Sequence, residues 1–170
     1  MKKNLVVLFA IIASVLAVSC ANTKLAENVE ATSKEQEQVN KQFEKVYSSY
    51  QKNLILDNAE TYKVVYGDKL TSIAKKFYGE DNGYYFPLIM LASNKVVLDP
   101  DLLLPGMELT VPSFEANVKN PEVATSLKSY FKEIADIYKE KKTATAPKTH
   151  ENLLLISEQL GATTAETVTE

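Results

Sequence analysis

The chain has 170 residues, 45% of them hydrophobic and 24% charged, with a formal net charge of −3. That is enough for one ordinary domain or a small one with helical attachments, and too apolar for a disordered tail. All 19 basic residues are lysine, so a mildly acidic chain lacks both the clustered positive charge that nucleic acid requires and the bidentate arginine fork suited to phosphate. Cys20 is the only cysteine and His150 the only histidine, which excludes an internal disulfide and gives no sign of a metal centre or a cofactor.

Lys2 and Lys3 precede an apolar run of 14 residues from Leu5 to Val18. Crossing a bilayer as a helix takes about 20 residues, so the run reads as the core of a signal peptide over residues 1–19. Leu16-Ala17-Val18-Ser19-Cys20 resembles a bacterial lipobox, with Ala17 where the usual pattern has leucine. The resemblance implies lipidation at Cys20, residues 20–34 as a tether, and an exported protein anchored to a membrane of the cell envelope, on its periplasmic side. Plain cleavage after an Ala-x-Ala-like site is the alternative. Several acyl chains on one cysteine would hold firmly, since each buried methylene contributes about 0.8 kcal/mol.

Within residues 35–60, Val39, Phe43, Val46, Tyr47, Tyr50 and Leu54 fall at steps of three and four, which predicts an amphipathic helix running to about Leu56. Ser33 and Gln36 have the spacing of a capping box. Residues 61–113 change character. Thr61 to Tyr66 is strand-like, Gly67-Asp68 marks a turn, and Leu70, Ile73, Ala74 and Phe77 predict a short helix stopped by Gly79. A loop with Asp81, Asn82 and Gly83 leads to a second helix beginning near Pro87. Asp99-Pro100 and Pro105-Gly106 mark turns, and Glu108 to Val111 alternates as a strand does, ended by Pro112. In 114–170, Val123, Leu127, Tyr130, Phe131, Ile134, Ala135 and Tyr138 share one face of a long helix after Asn120-Pro121. Thr143 to Lys148 reads as a linker. A shorter helix over 150–160 ends at Gly161 and leaves a frayed tail.

The segment Tyr62-Lys63-Val64-Val65-Tyr66-Gly67-Asp68-Lys69-Leu70-Thr71-Ser72-Ile73-Ala74, with Asp99-Pro100-Asp101-Leu102-Leu103-Leu104-Pro105-Gly106 closing onto the last strand, resembles the LysM family over residues 62–112. The resemblance implies an α+β fold: a small βααβ domain, a two-stranded antiparallel sheet with two helices, flanked here by long amphipathic α-helices. It also implies non-catalytic binding of peptidoglycan or another N-acetylglucosamine polymer in a shallow groove between two loops. Gly67, Asp68, Lys69, Leu70 and Thr71 form one loop and helix start, and Asp101, Leu102 and Leu103 belong to the other. Leu102 and Leu103 are expected to carry the apolar sugar faces. Most of these residues also have a purely structural use: Gly67 frees a tight turn, Asp68 is placed to cap the first helix, and Leu70 is core. Asn94 lies one place beyond the asparagine of related sequences, a rotation of about 100° around the helix.

No enzyme is expected. A Gly-x-Ser-x-Gly elbow is absent, and Thr149-His150-Glu151 lacks a second histidine four residues on. The aromatic stripes, Phe43, Tyr47 and Tyr50 before the block and Tyr130, Phe131 and Tyr138 after it, are expected to pair with one another or pack on the domain. In the alternative reading the stripes bind a protein partner in the envelope and the LysM-like block is mainly a scaffold.

Overall fold

The computed structural model describes residues 34–166, so the expected signal peptide, Ser33 and the expected lipidation site at Cys20 lie outside the described residues. The order is helix α1 (34–50), strand β1 (Glu60–Lys63), α2 (Leu70–Tyr78), α3 (Pro87–Ala92), β2 (Glu108–Val111), α4 (Phe114–Val118), α5 (Pro121–Glu140) and α6 (Ala146–Glu166). The fold is mixed, mainly helical, with one two-stranded antiparallel sheet. None of the described helices is long and apolar enough to cross a membrane.

Glu60 pairs with Val111 and Lys63 with Glu108, so β1 and β2 meet in register although over forty residues separate them. Beyond Lys63 the ladder continues irregularly: Val64 N donates to the Met107 carbonyl at 2.9 Å, and Gly106 N donates to Val64 at 2.8 Å. Leu109 and Val111 face inward and are buried in one core cluster with Leu70, Ile73 and Ala74 of α2 and Leu88 to Leu91 of α3. Ser93, at the end of α3, bonds Thr110 in both directions: its hydroxyl donates to the Thr110 carbonyl at 3.2 Å and accepts from Thr110 N at 2.9 Å.

Helix α5 is the central strut. Its N-cap is Asn120, whose side chain accepts from Glu122 N and Val123 N, with Pro121 at the first helical position. Tyr130 is fully buried and donates to the Pro87 carbonyl at 2.9 Å, fixing α5 to the start of α3. Phe43 meets Tyr138 edge-on and Tyr50 meets Tyr130, so α1 runs antiparallel to α5. Ser157 donates to the Lys128 carbonyl, while His150 Nδ1 lies 2.8 Å from the Ala135 carbonyl; α6 is antiparallel to α5 as well. The residues from Val39 on form one unit. Both aromatic stripes are spent inside it, and Phe43, Tyr130 and Phe131 are fully buried.

Several boundaries differ from the expected ones, β1 among them, which stops at Lys63 and not at Tyr66. Helix α1 ends at residue 50 and a 3-10 turn follows over Gln51–Asn53, because the Ile55 backbone N–H and carbonyl bond to the side-chain amide of Asn117 instead of continuing the helix. The stretch after Gly79 is a 3-10 helix, Glu80–Tyr85, and α4 precedes the expected long helix, capped by Ser113. The expected linker ends early, since α6 begins at Ala146. Gly161 does not stop α6, which continues to Glu166; one internal glycine costs a helix only about 1 kcal/mol.

Candidate functional site

Two tight turns stand side by side at the open end of the sheet. In Val65-Tyr66-Gly67-Asp68, Asp68 N donates to the Val65 carbonyl at 3.2 Å and Gly67 has φ of 89°. A positive φ at the third position is the signature of a type II turn, and glycine takes it without strain. Leu104-Pro105-Gly106-Met107 repeats the arrangement, with Met107 N bonded to the Leu104 carbonyl at 3.2 Å and Gly106 at φ 92°.

Asp68 locks the first turn. Its Oδ2 accepts from Tyr62 Oη and from Val65 N, both at 2.9 Å. The expected helix cap is therefore not what Asp68 does: Lys69 is the N-cap of α2, and it supplies no side-chain bond. The bond to Asp68 raises the Tyr62 phenol pKa, because losing the proton would leave two negative oxygens in contact. Tyr62 also packs edge-on against Phe77, with Lys76 Nζ 4.5 Å from its ring centre.

The second loop is held by an ion cluster absent from the sequence expectations. Lys141, just past α5, reaches both carboxylate oxygens of Asp99 at 2.6 and 2.7 Å, and Asp101 Oδ2 at 2.9 Å. The Lys141 side chain is 6% exposed and that of Asp99 2%. Asp99 Oδ1 also accepts from Asp101 N at 2.9 Å, tightening the turn. The ammonium sits 5.6 Å from the Phe43 ring centre and 5.5 Å from that of Tyr138, within cation–π range. One sequence signal pointed here: Lys141 continues the apolar face of Ile134 and Tyr138 at steps of four and three, so a lysine there needs a buried partner.

Between residues 68–71, which follow the first turn, and residues 100–103, which precede the second, opens a groove of about 490 Å³. One side is Asp68, Lys69, Leu70 and Thr71; the facing side is Pro100, Asp101 and Leu103. Six of the eight expected residues thus come together. Gly67 shapes the turn without lining the groove, and Leu102 lies outside it, half exposed. The floor carries Leu70 and Phe86, both otherwise core. Tyr138, Thr143, Thr145 and Thr149 add a wall from the α5–α6 connection, which nothing in the local sequence announces. Asn94 is turned away: it donates to Gln51 Oε1 at 2.9 Å and the Leu91 carbonyl at 2.8 Å, beside a separate hollow.

Comparison with family models, curated proteins and solved structures returns no match. What the groove can hold follows from its chemistry. An apolar floor with carboxylate, ammonium and hydroxyl groups around the rim suits a neutral, hydroxyl-rich ligand with apolar faces. Among the described residues no cluster of three histidine, cysteine or acidic side chains is placed to hold a metal ion.

Proposed function

We propose that this chain is a non-catalytic binding protein for peptidoglycan, holding an N-acetylglucosamine-containing glycan in the groove between residues 68–71 and 100–103. In the same reading residues 61–113 are a LysM domain, and Cys20, outside the described residues, carries a lipid that tethers the chain in the bacterial envelope. The observation that carries the proposal is the convergence of two sequence-distant loops, each fixed by its own turn, on one groove with an apolar floor and a polar rim. The strand–helix–helix–strand order from Glu60 to Val111 agrees with the family resemblance.

N-acetyl groups offer one donor and one acceptor each, and pyranose faces are apolar, so both halves of the groove have a use. An open groove leaves much of a ligand hydrated, and affinity for one domain is expected between about micromolar and millimolar, roughly −8 to −4 kcal/mol. Tethering near the wall raises the effective concentration and makes that sufficient. No turnover is proposed. Asp68 and Asp101 are the groove's carboxylates, and both are already engaged, by Tyr62 and Val65 and by Lys141. His150 is engaged too, with the Ala135 carbonyl.

The test is co-sedimentation of purified residues 21–170 with insoluble peptidoglycan. The wild-type chain is expected in the pellet, and Lys69→Ala with Leu103→Ala is expected to shift most of it to the supernatant. A wild-type chain that pellets no better than an inert control protein overturns the proposal.

A further inference from the structure

Among the described residues eight large hydrophobic side chains are exposed, and four of them, Val65, Tyr66, Leu102 and Leu104, lie on the two loops that frame the groove. Tyr66 is 94% exposed, more than any other. It occupies the second position of the Val65–Asp68 turn, whose backbone is closed by the Asp68–Val65 bond and pinned by the Asp68 carboxylate. A rigid backbone thus presents an unconfined ring. Past Lys63 the ladder bulges, with Val64 bonded to both Met107 and Gly106, and this holds the starts of the two turns next to each other. A Cβ at Gly67 or Gly106 would meet nothing within 4 Å, so the turn backbones are open to an approaching ligand.

We infer that Tyr66 is an outer sugar platform that takes the apolar face of a pyranose ring as the glycan leaves the groove. The inference rests on the proposed glycan binding and adds to it a residue outside the groove. Three features favour this occupant. The platform is continuous with the groove, since Tyr66 stands two residues before Asp68. The segments leading to it carry both signs, Lys63 pairing with Glu108 at the end of the sheet and Lys69 sharing the groove lining with Asp101, so the one-sided positive charge that draws a loop onto an anionic lipid surface is lacking there. And four side chains are far short of the roughly 800 Å² per partner of a stable protein interface, whereas one aromatic ring is the right size for one sugar.

The experiment titrates the exported chain, residues 21–170, with N-acetylglucosamine oligomers of increasing length. Tyr66→Ala is expected to weaken binding of the longest oligomer by roughly threefold to tenfold while leaving the shortest bound ligand unaffected, and Tyr66→Phe to restore the loss. Thermal melting of each variant should match the wild type, because the side chain touches almost nothing. Equal affinities for wild type and Tyr66→Ala across all lengths overturn the platform and leave the groove reading standing. A Tyr66→Phe variant as weak as Tyr66→Ala overturns stacking in favour of the hydroxyl. Tyr66-dependent binding to phosphatidylglycerol vesicles, with no change on oligomers, overturns the sugar in favour of a membrane. If the wild type binds no oligomer and no peptidoglycan, both readings fall.

Discussion

Asn117 shows how one side chain can join two elements. It is fully buried; its Oδ1 accepts from Ile55 N at 2.8 Å, and its Nδ2 donates to the Ile55 and Ser113 carbonyls at 2.9 Å. Without it, the half-buried Ile55 loses both backbone partners. Asn117→Ala is expected to destabilise the chain by about 2–4 kcal/mol, read from the urea midpoint, and an unchanged midpoint would show that the bridge contributes nothing. Nothing local in Glu115-Ala116-Asn117-Val118 marks this residue as interior, because its partner lies 62 residues away. Leu70, Ile73 and Ala74 are the opposite case, since their spacing alone marks a buried face. Tyr47 and Tyr78 are a third kind: among the described residues their buried hydroxyls find no hydrogen-bond partner, and burial raises both phenol pKa values.

At the scale of elements, the loop from Asp99 to Met107 is shaped at one end by its own turn and at the other by α5. Lys141 supplies the second constraint. Removing it leaves Asp99 buried with its main countercharge gone, so Lys141→Met is expected to cost about 3–5 kcal/mol in chemical denaturation and to loosen the groove's second side. A variant as stable as the wild type would mean that the cluster only breaks even. Most helices and strands of residues 61–113 were legible in the sequence because each has its own periodicity and turn residues: β2 matches its expected limits, whereas β1 stops at Lys63 and the expected loop after Gly79 is a 3-10 helix. The site was legible only as far as those local signals reach. They located both loops, but the wall from Tyr138 to Thr149 depends on where α5 ends and how α6 folds back. The expected stop at Gly161 failed for the same reason: packing against α5, through buried Leu153 and Leu160, outweighs a single poor helix former.

For the whole molecule, the tyrosines make stability depend on base. Burial raises the phenol pKa values of Tyr47, Tyr78, Tyr85, Tyr130 and Tyr138. Tyr50 is pushed up to about 12 by burial and by its 2.6 Å bond to Glu133. The folded state therefore holds these protons more tightly than the unfolded chain, whose phenols ionise near about 10. This contribution to stability is complete below about pH 10 and is lost as the pH climbs toward the folded values. In a base titration, helical circular dichroism is expected to collapse together with the appearance of phenolate absorbance. Complete ionisation with the helices intact would contradict the packing described.

The groove gathers side chains from residue 68 to residue 149, and Thr149 of α6 reaches it only because the chain folds back along α5. A pocket assembled this way exists in the native state alone. Any ligand that settles there is thus also a stabiliser, contributing RT ln(1 + [L]/Kd), about 2.7 kcal/mol at a hundredfold excess over Kd. Occupancy and foldedness become one coupled equilibrium, so the surroundings that saturate the groove also protect the chain.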